Sequence, residues 1–94
     1  MKVIHENNSR GGIFKTIENG MEIGELTYTW DNGVMIIDHT GVISSYSGRG
    51  VGKNMLRKAV EYARENQVKI YPVCSFARKE MNENADLQDI IQSI

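Results

Sequence analysis

The sequence predicts a mixed α+β fold, in which antiparallel hairpins are followed by a β-α-β unit and a C-terminal helical region. Two Asn-Gly pairs, beginning at Asn19 and Asn32, each separate segments of high β tendency. Such pairs favour tight hairpin turns, because both residues tolerate positive φ. After Val51 the apolar residues recur at the spacing of a helix. The predicted order of elements is therefore β-β-β-β-α-β-α.

Alternation of apolar and polar residues places the strands of the first half. Within the third of them, the apolar phase shifts after Ile23, and Gly24 stands at the break, which predicts a β-bulge there. The four strands, of which the first is the weakest, are predicted at Lys2–Glu6, Ile13–Glu18, Met21–Trp30 and Val34–Ile43.

The second half changes to a helical period. A helix with one apolar and one charged face is predicted from Val51 to about Asn66. A short buried strand follows at Val68–Val73, and Pro72 near its end indicates that one side of this strand lacks a neighbour.

The C-terminal region is predicted to be helical from about Phe76 to Ile94. Asn82 and Asn84 are expected to divide it into two helices. The apolar stripe that supports the second helix consists of Leu87, Ile90, Ile91 and Ile94.

Composition restricts the class of protein. Ninety-four residues predict one domain, spanning residues 1–94. Eleven basic against twelve acidic residues give a net charge of −1, which argues against a nucleic-acid partner. No apolar run is long enough to span a membrane, so no membrane partner is expected. A single cysteine forms no internal disulfide and no cysteine-rich metal site, and we expect a reduced, cytoplasmic protein without a metal.

A glycine-rich turn lies between the fourth strand and the first helix. Its sequence is S-G-R-G-V-G-K, over Ser47–Lys53. Glycines let the backbone approach a ligand closely, and the helix that follows presents free N–H groups at its positive end. These features predict an anion site, with a ligand-free turn as the alternative. Because Lys53 precedes Asn54, the motif is not a P-loop.

The turn resembles the acetyl-CoA signature of the GNAT superfamily of N-acetyltransferases, [Q/R]-x-x-G-x-[G/A]. Gly50 and Gly52 fill the two small positions, whereas Ser47 stands where Gln or Arg is usual. The motifs D-H-T at Asp38–Thr40 and P-V-C at Pro72–Cys74 resemble those of an unusually short subgroup.

The resemblance implies a GNAT-like fold in which the two parallel strands around the first helix splay apart and CoA enters the gap. The implied cofactor is acetyl-CoA, and Tyr46 and Phe76 are expected as walls of its channel. The residues implied to bind it are Val42, Ile43, Gly48, Arg49, Gly50, Val51, Gly52, Lys53 and Asn54.

The implied activity is acetyl-CoA-dependent N-acetyl transfer to a small-molecule or peptide amine. One alternative is a CoA-binding module without turnover, or a subunit whose acceptor site a partner protein supplies. Another is a small interaction domain whose glycine turn binds nothing. Failure of CoA to stabilise the protein would favour the last reading.

Two side chains are candidates for catalysis. Cys74 is a candidate nucleophile that takes the acetyl group, although a lone cysteine is often a small buried hydrophobe. His39 is expected in phase with Met35 and Ile37, which aims it at the core or at the cleft, and it is a candidate base or a structural histidine. If His39 faces Cys74 across the gap, the two form a nucleophile–base pair.

Overall fold

The computed structural model describes residues 1–93, and Ile94 lies outside the described residues. Five strands form one sheet in the order β1-β2-β3-β4-β5, antiparallel throughout except for the parallel pair β4–β5. The mixed α+β class and the order of elements are confirmed. The elements are β1 (Lys2–Asn7), β2 (Gly11–Glu18), β3 (Met21–Asp31), β4 (Val34–Val42), α1 (Val51–Glu65), β5 (Ile70–Pro72) and α2 (Ser75–Glu83), with 3-10 segments at Ser44–Tyr46 and Ala85–Ile90.

Both Asn-Gly pairs form the hairpin turns that the sequence predicts. Asn19 and Gly20 have φ of 51° and 77°, and Asn32 and Gly33 have φ of 50° and 77°. Positive φ at both central positions matches the right-handed twist of the flanking strands. The two turns therefore set the pairing of β2 with β3 and of β3 with β4.

The bulge predicted at Gly24 is present beside that residue. Thr16 lies opposite Gly24, but the next residue, Ile17, lies opposite Glu22. Ile23 is thus the extra residue of β3, which explains the shift of apolar phase in the sequence.

A second bulge, which the sequence does not signal, interrupts β4. His39 lies opposite Thr27, whereas Ile37 lies opposite Tyr28, so Asp38 is the extra residue. Beyond Asp38 the side chains of β4 therefore point to the faces opposite to those that strict alternation predicts.

Both helices lie on one face of the sheet. Phe14, Leu26 and Ile37 of the strands are buried in one cluster with Met55 and other residues of α1 and α2. The opposite face carries Ile4, Ile13, Ile17 and Ile36, which remain only half-buried because neither helix packs over them. No helix among residues 1–93 is long and apolar enough to span a membrane.

The region after α1 differs from the predicted bounds. The strand predicted at Val68–Val73 is shorter and spans Ile70–Pro72, because the Val68 N–H donates to the Ala63 carbonyl at 2.9 Å in the turn that follows α1. Asn66 ends α1 as predicted, and β5 is the last strand of the sheet, as Pro72 indicated.

The C-terminal region is divided at Asn84, but its second part is not an α-helix. Asn84 caps a six-residue 3-10 segment by accepting from the Asp86 N–H at 3.1 Å. Ile90 is buried, and Ile91 then forms an isolated bridge with Ile70. The continuous helical stripe predicted over Leu87–Ile94 is therefore wrong for residues 87–93, because the chain becomes extended after Ile90.

An aromatic cluster joins β1 to the core. The His5 ring stacks on Phe14 with ring centres 3.9 Å apart, and His5 Nε2 lies 2.6 Å from the Tyr28 hydroxyl. Burial lowers the pKa of His5 and raises the pKa of Tyr28. Protonation of His5 is thus disfavoured in the folded protein.

The low pKa of His5 predicts acid sensitivity of the fold. Between pH about 7.5 and about 5.5 the unfolded chain binds the proton more readily, so the free energy of unfolding should fall as the pH drops below about 6.5. Urea unfolding across this range measures the slope. His5→Gln should flatten the slope, because glutamine takes up no proton in this range. An equal slope in the native and His5→Gln proteins would contradict a lowered pKa of His5.

Candidate functional site: a cavity at the glycine turn

The turn between β4 and α1 is built on two glycines in the left-handed region. Gly48 and Gly50 both have φ of 78°, which costs a residue with a side chain about 1–2 kcal/mol. A Cβ added to either glycine would meet no atom of the described residues within 4 Å. The space beside both glycines is therefore free for a ligand to approach the backbone.

Helix α1 begins at this turn. Gly50 is its N-cap residue and has no side chain to cap it, while its carbonyl accepts from the Asn54 N–H at 2.9 Å. The N–H groups of the first helical turn, at Val51, Gly52 and Lys53, have no partner within the helix. They form the positive end of the helix dipole, which is an anion-binding arrangement.

Gly52 serves a different purpose from Gly48 and Gly50. A Cβ on Gly52 would lie 3.0 Å from Cζ of Phe76. Its small size thus lets α1 approach the start of α2, and the Phe76 ring closes one side of the turn.

A cavity of about 500 Å³ opens at the turn. It lies between the turn, the last residues of β4 and Phe76. Tyr46 and Phe76 line it, as expected for the walls of a channel. The residues around it are Thr40, Val42, Tyr46, Ser47, Gly48, Gly50, Val51, Gly52, Lys53 and Phe76.

The parallel strands part beside this cavity. β5 pairs with β4 only at Met35–Ile37, and the Ile37 carbonyl accepts from the N–H groups of both Val73 and Cys74, at 2.9 and 3.1 Å. β4 continues to Val42 without that neighbour. The gap that the resemblance implies is therefore present.

The open edge of β4 differs from the predicted one by one residue. The Ile43 N–H donates to the Ile23 carbonyl at 2.9 Å and so points toward β3. Because successive strand residues direct their backbone groups to opposite edges, those of Thr40 and Val42 point into the gap. The expectation that Ile43 contributes to this edge is wrong, and Thr40 takes its place.

Two other candidate residues lie at the turn without lining the cavity. The Arg49 guanidinium sits over the Tyr46 ring, 5.0 Å from its centre. The Asn54 N–H is already used by Gly50. Arg49 therefore brings positive charge to the rim, and Asn54 completes the first turn of α1.

Cys74 is half-buried at the point where β5 ends and α2 begins. Its sulfur accepts from the Ala77 N–H at 3.4 Å and lies 3.4 Å from Thr40 Oγ1. A helix N-terminus stabilises negative charge on such an atom. Cys74 thus caps α2 and faces β4 across the gap.

His39 lies on the other face of the sheet, away from Cys74. Its Nε2 is 3.2 Å from a carboxylate oxygen of Glu25, and its side chain is 56% exposed. The expectation that His39 shares the phase of Met35 and Ile37 is wrong, because the bulge at Asp38 reverses the alternation. The pairing of His39 with Cys74 is therefore not formed.

Sequence reasoning missed Thr40 and Glu25 as parts of the site. Thr40 belongs to the D-H-T motif, and alternation backward from Val42 places it at the same edge. No sequence pattern indicated Glu25, because its contact with His39 depends on the register of β3 with β4. No group of three His, Cys, Asp or Glu residues within residues 1–93 is arranged to hold a metal ion.

Comparison with known proteins supports the reading of the fold. The sequence matches the family model described as GCN5-related N-acetyl-transferase over residues 13–90. None of the curated proteins matches it. A GCN5-like protein from Staphylococcus aureus, solved by NMR, is 36% identical with a TM-score of 0.71, over 97% of this chain and 89% of that one.

More distant structures share the fold. The ribosomal-protein-S18-alanine N-acetyltransferase from Escherichia coli is 15% identical with a TM-score of 0.69, over 82% of this chain. This chain covers only 52% of that enzyme. The aminoglycoside N-acetyltransferase AAC(6')-Iy, solved with CoA, is 16% identical with a TM-score of 0.64, over 93% of this chain and 75% of that one.

The five-stranded sheet with its parted parallel strands and glycine turn is the architecture of an acetyltransferase. With the family match over residues 13–90, the chain belongs to the GCN5-related N-acetyltransferase family. The GNAT resemblance of its motifs is confirmed.

Proposed function

We propose that this protein binds acetyl-CoA and transfers the acetyl group to an amine of a small molecule or peptide. The observation that carries the proposal is the turn between β4 and α1. Gly48 and Gly50 leave open space beside a backbone held in the left-handed region, and unpaired N–H groups follow directly. These features fit a pyrophosphate, which needs close approach to several amides at once.

Each part of the cofactor has a matching feature of the chain. The amides of Gly50–Lys53 would hold the pyrophosphate, with Arg49 and Lys53 adding positive charge. The open edge at Thr40 and Val42 would pair with the pantetheine amides. When bound, acetyl-CoA supplies the activated acetyl thioester, and the parted strands would bring that group toward Cys74.

Substitution of a turn glycine tests whether CoA binds at the turn, because its effect on CoA affinity can be compared with its effect on stability. Gly50→Ala forces a side chain into the left-handed region and into the space reserved for the ligand. It should lose about 1–2 kcal/mol of stability, and CoA binding, measured by calorimetry, should weaken about tenfold or more because several charge-assisted contacts are lost.

A matched control exists in the hairpin turn. Gly20 also has positive φ, 77°, and open space around its missing Cβ. Gly20→Ala should lose similar stability and keep native affinity for CoA. Equal CoA affinity in both variants would contradict binding at the turn.

We assign Cys74 the role of first acetyl acceptor. Its sulfur lies at the gap, at the N-terminus of α2 and beside the Thr40 hydroxyl. The thiolate would attack the acetyl carbon, the bond from that carbon to the sulfur of CoA would break, and CoA would leave as the thiolate, so that charge is conserved.

We assign His39 the role of base for the acceptor amine rather than for Cys74. His39 and Thr40 are neighbours on β4 with side chains on opposite faces, and no strand formed by residues 1–93 lies beside them on the β5 side. An amine that approaches from the His39 face would thus reach the gap from the side opposite to the cavity.

The acetyl-Cys74 step can be observed directly. After incubation with acetyl-CoA, the intact mass of the native protein should rise by one acetyl group. Cys74→Ser should show no such gain, although it remains folded, since a serine oxygen can also accept from the Ala77 N–H and cap α2. Undiminished acetyl transfer to amines by Cys74→Ser would leave direct transfer as the mechanism.

One observation favours a second candidate function, that of a CoA-binding subunit completed by a partner protein. The sheet face that bears His39 carries no helix within residues 1–93, so the described chain builds no enclosed pocket for an acceptor there. Tight CoA binding without acetylation of any added amine would support this candidate. For either function we propose a cytoplasmic location, where a lone thiol stays reduced.

A further inference from the structure

The contact between Glu25 and His39 has a specific geometric cause. In the register of β3 with β4, Glu25 lies opposite Gly41, and His39 lies two residues away. The imidazole reaches Glu25 by lying over Gly41. A Cβ on Gly41 would stand 3.1 Å from His39 Nε2. A Cβ at position 41 would therefore push the ring by a few tenths of an ångström.

The charged side chains next to Glu25 and His39 contact other partners. Lys15 of β2 lies directly opposite Glu25, but its Nζ contacts Glu6 of β1 at 3.3 Å. Asp38, adjacent to His39, accepts from Thr27 Oγ1 at 2.6 Å. Glu22 of β3 lines the same surface hollow as Glu25 and Gly41.

The arrangement distinguishes the two nitrogens of the imidazole. Nε2 faces the Glu25 carboxylate at 3.2 Å, which favours the proton on that nitrogen. Nδ1 makes no hydrogen bond with any of residues 1–93. A neutral His39 thus carries its free electron pair on Nδ1, on the open face of the sheet.

We propose that Glu25 is a positioning residue that holds His39 over Gly41 with Nδ1 ready to accept a proton from the acceptor amine. This inference rests on the proposed function. One N–H bond of the ammonium breaks, its proton moves to Nδ1 and later to water, and the electron pair stays on nitrogen. That electron pair forms the amide bond to the acetyl carbon as the C–S bond of the acetyl-Cys74 thioester breaks. A second proton goes to the leaving sulfur, and the third remains on the amide.

The position of the ring can be measured by NMR on the protein alone. Because the imidazole lies over Gly41, its ring current should shift the Gly41 Hα protons, and His39 Hε1 should show a nuclear Overhauser effect to them. Glu25→Ala should abolish both signals, whereas Glu25→Gln, which keeps an acceptor oxygen, should retain part of them. Glu22→Ala is the matched control on the same strand and should change neither.

Kinetics with acetyl-CoA and poly-L-lysine test the consequence for transfer. Glu25→Ala should lower kcat about tenfold to a hundredfold and leave KM for acetyl-CoA unchanged, since Glu25 lies on the face away from the glycine turn. Gly41→Ala should lower kcat by less than Glu25→Ala does, because its Cβ displaces the ring by only a few tenths of an ångström while the carboxylate remains. Glu22→Ala should keep the native rate.

The outcomes separate this inference from the proposed function. If the ring-current shift of Gly41 and the Overhauser effect from His39 Hε1 are unchanged in Glu25→Ala, the positioning role is overturned, whatever the activity. A further loss of rate when Glu25→Ala is added to His39→Ala would also overturn it, because Glu25 would then act independently of His39. Ring signals that respond as expected, with no CoA binding by the native protein, would overturn the proposed function instead.

Discussion

The Ile37 carbonyl is the last group of β4 that β5 reaches. It accepts from both Val73 and Cys74, after which the chain turns away into α2. If the parallel pair continued, the backbone groups of Thr40 and Val42 would be used within the sheet. Because it stops, those groups remain free beside the positive end of α1. The cavity and the candidate chemistry all depend on this early end of β5.

The bulge at Asp38 then decides which side chain faces which side of the gap. Without it, strict alternation would place His39 with Met35 and Ile37 on the helix-covered face. With it, Thr40 takes that face and contacts Cys74, while His39 lies on the open face with Glu25. One extra residue in β4 thus separates the proposed acetyl-carrying side from the proposed proton-accepting side.

Local signals predicted the hairpins, the bulge beside Gly24, helix α1 and the glycine turn. Each of these depends on neighbours in sequence, such as the positive φ that Asn19 and Gly20 tolerate. The bulge at Asp38 depends on how β3 and β4 pair, and nothing in the sequence of β4 marks it. The predictions for Ile43 and His39 were wrong for this one reason.

The predicted C-terminal stripe failed for a related reason. The spacing of Leu87 and Ile90 suits an α-helix, but Asn84 caps a shorter 3-10 segment. Ile91 then pairs with Ile70 at the outer edge of β5. Tertiary pairing therefore replaced the local helical preference.

We propose that CoA lies across the glycine turn and along the free edge of β4. A titration of the ¹⁵N-labelled protein with CoA, followed through its amide NMR signals, tests it most directly. The largest shifts are expected at Gly50–Lys53, with further shifts at Thr40 and Val42. Unchanged signals at all these amides, with the shifts confined to the groove between α1 and α2 around Arg57 and Glu80, would contradict it.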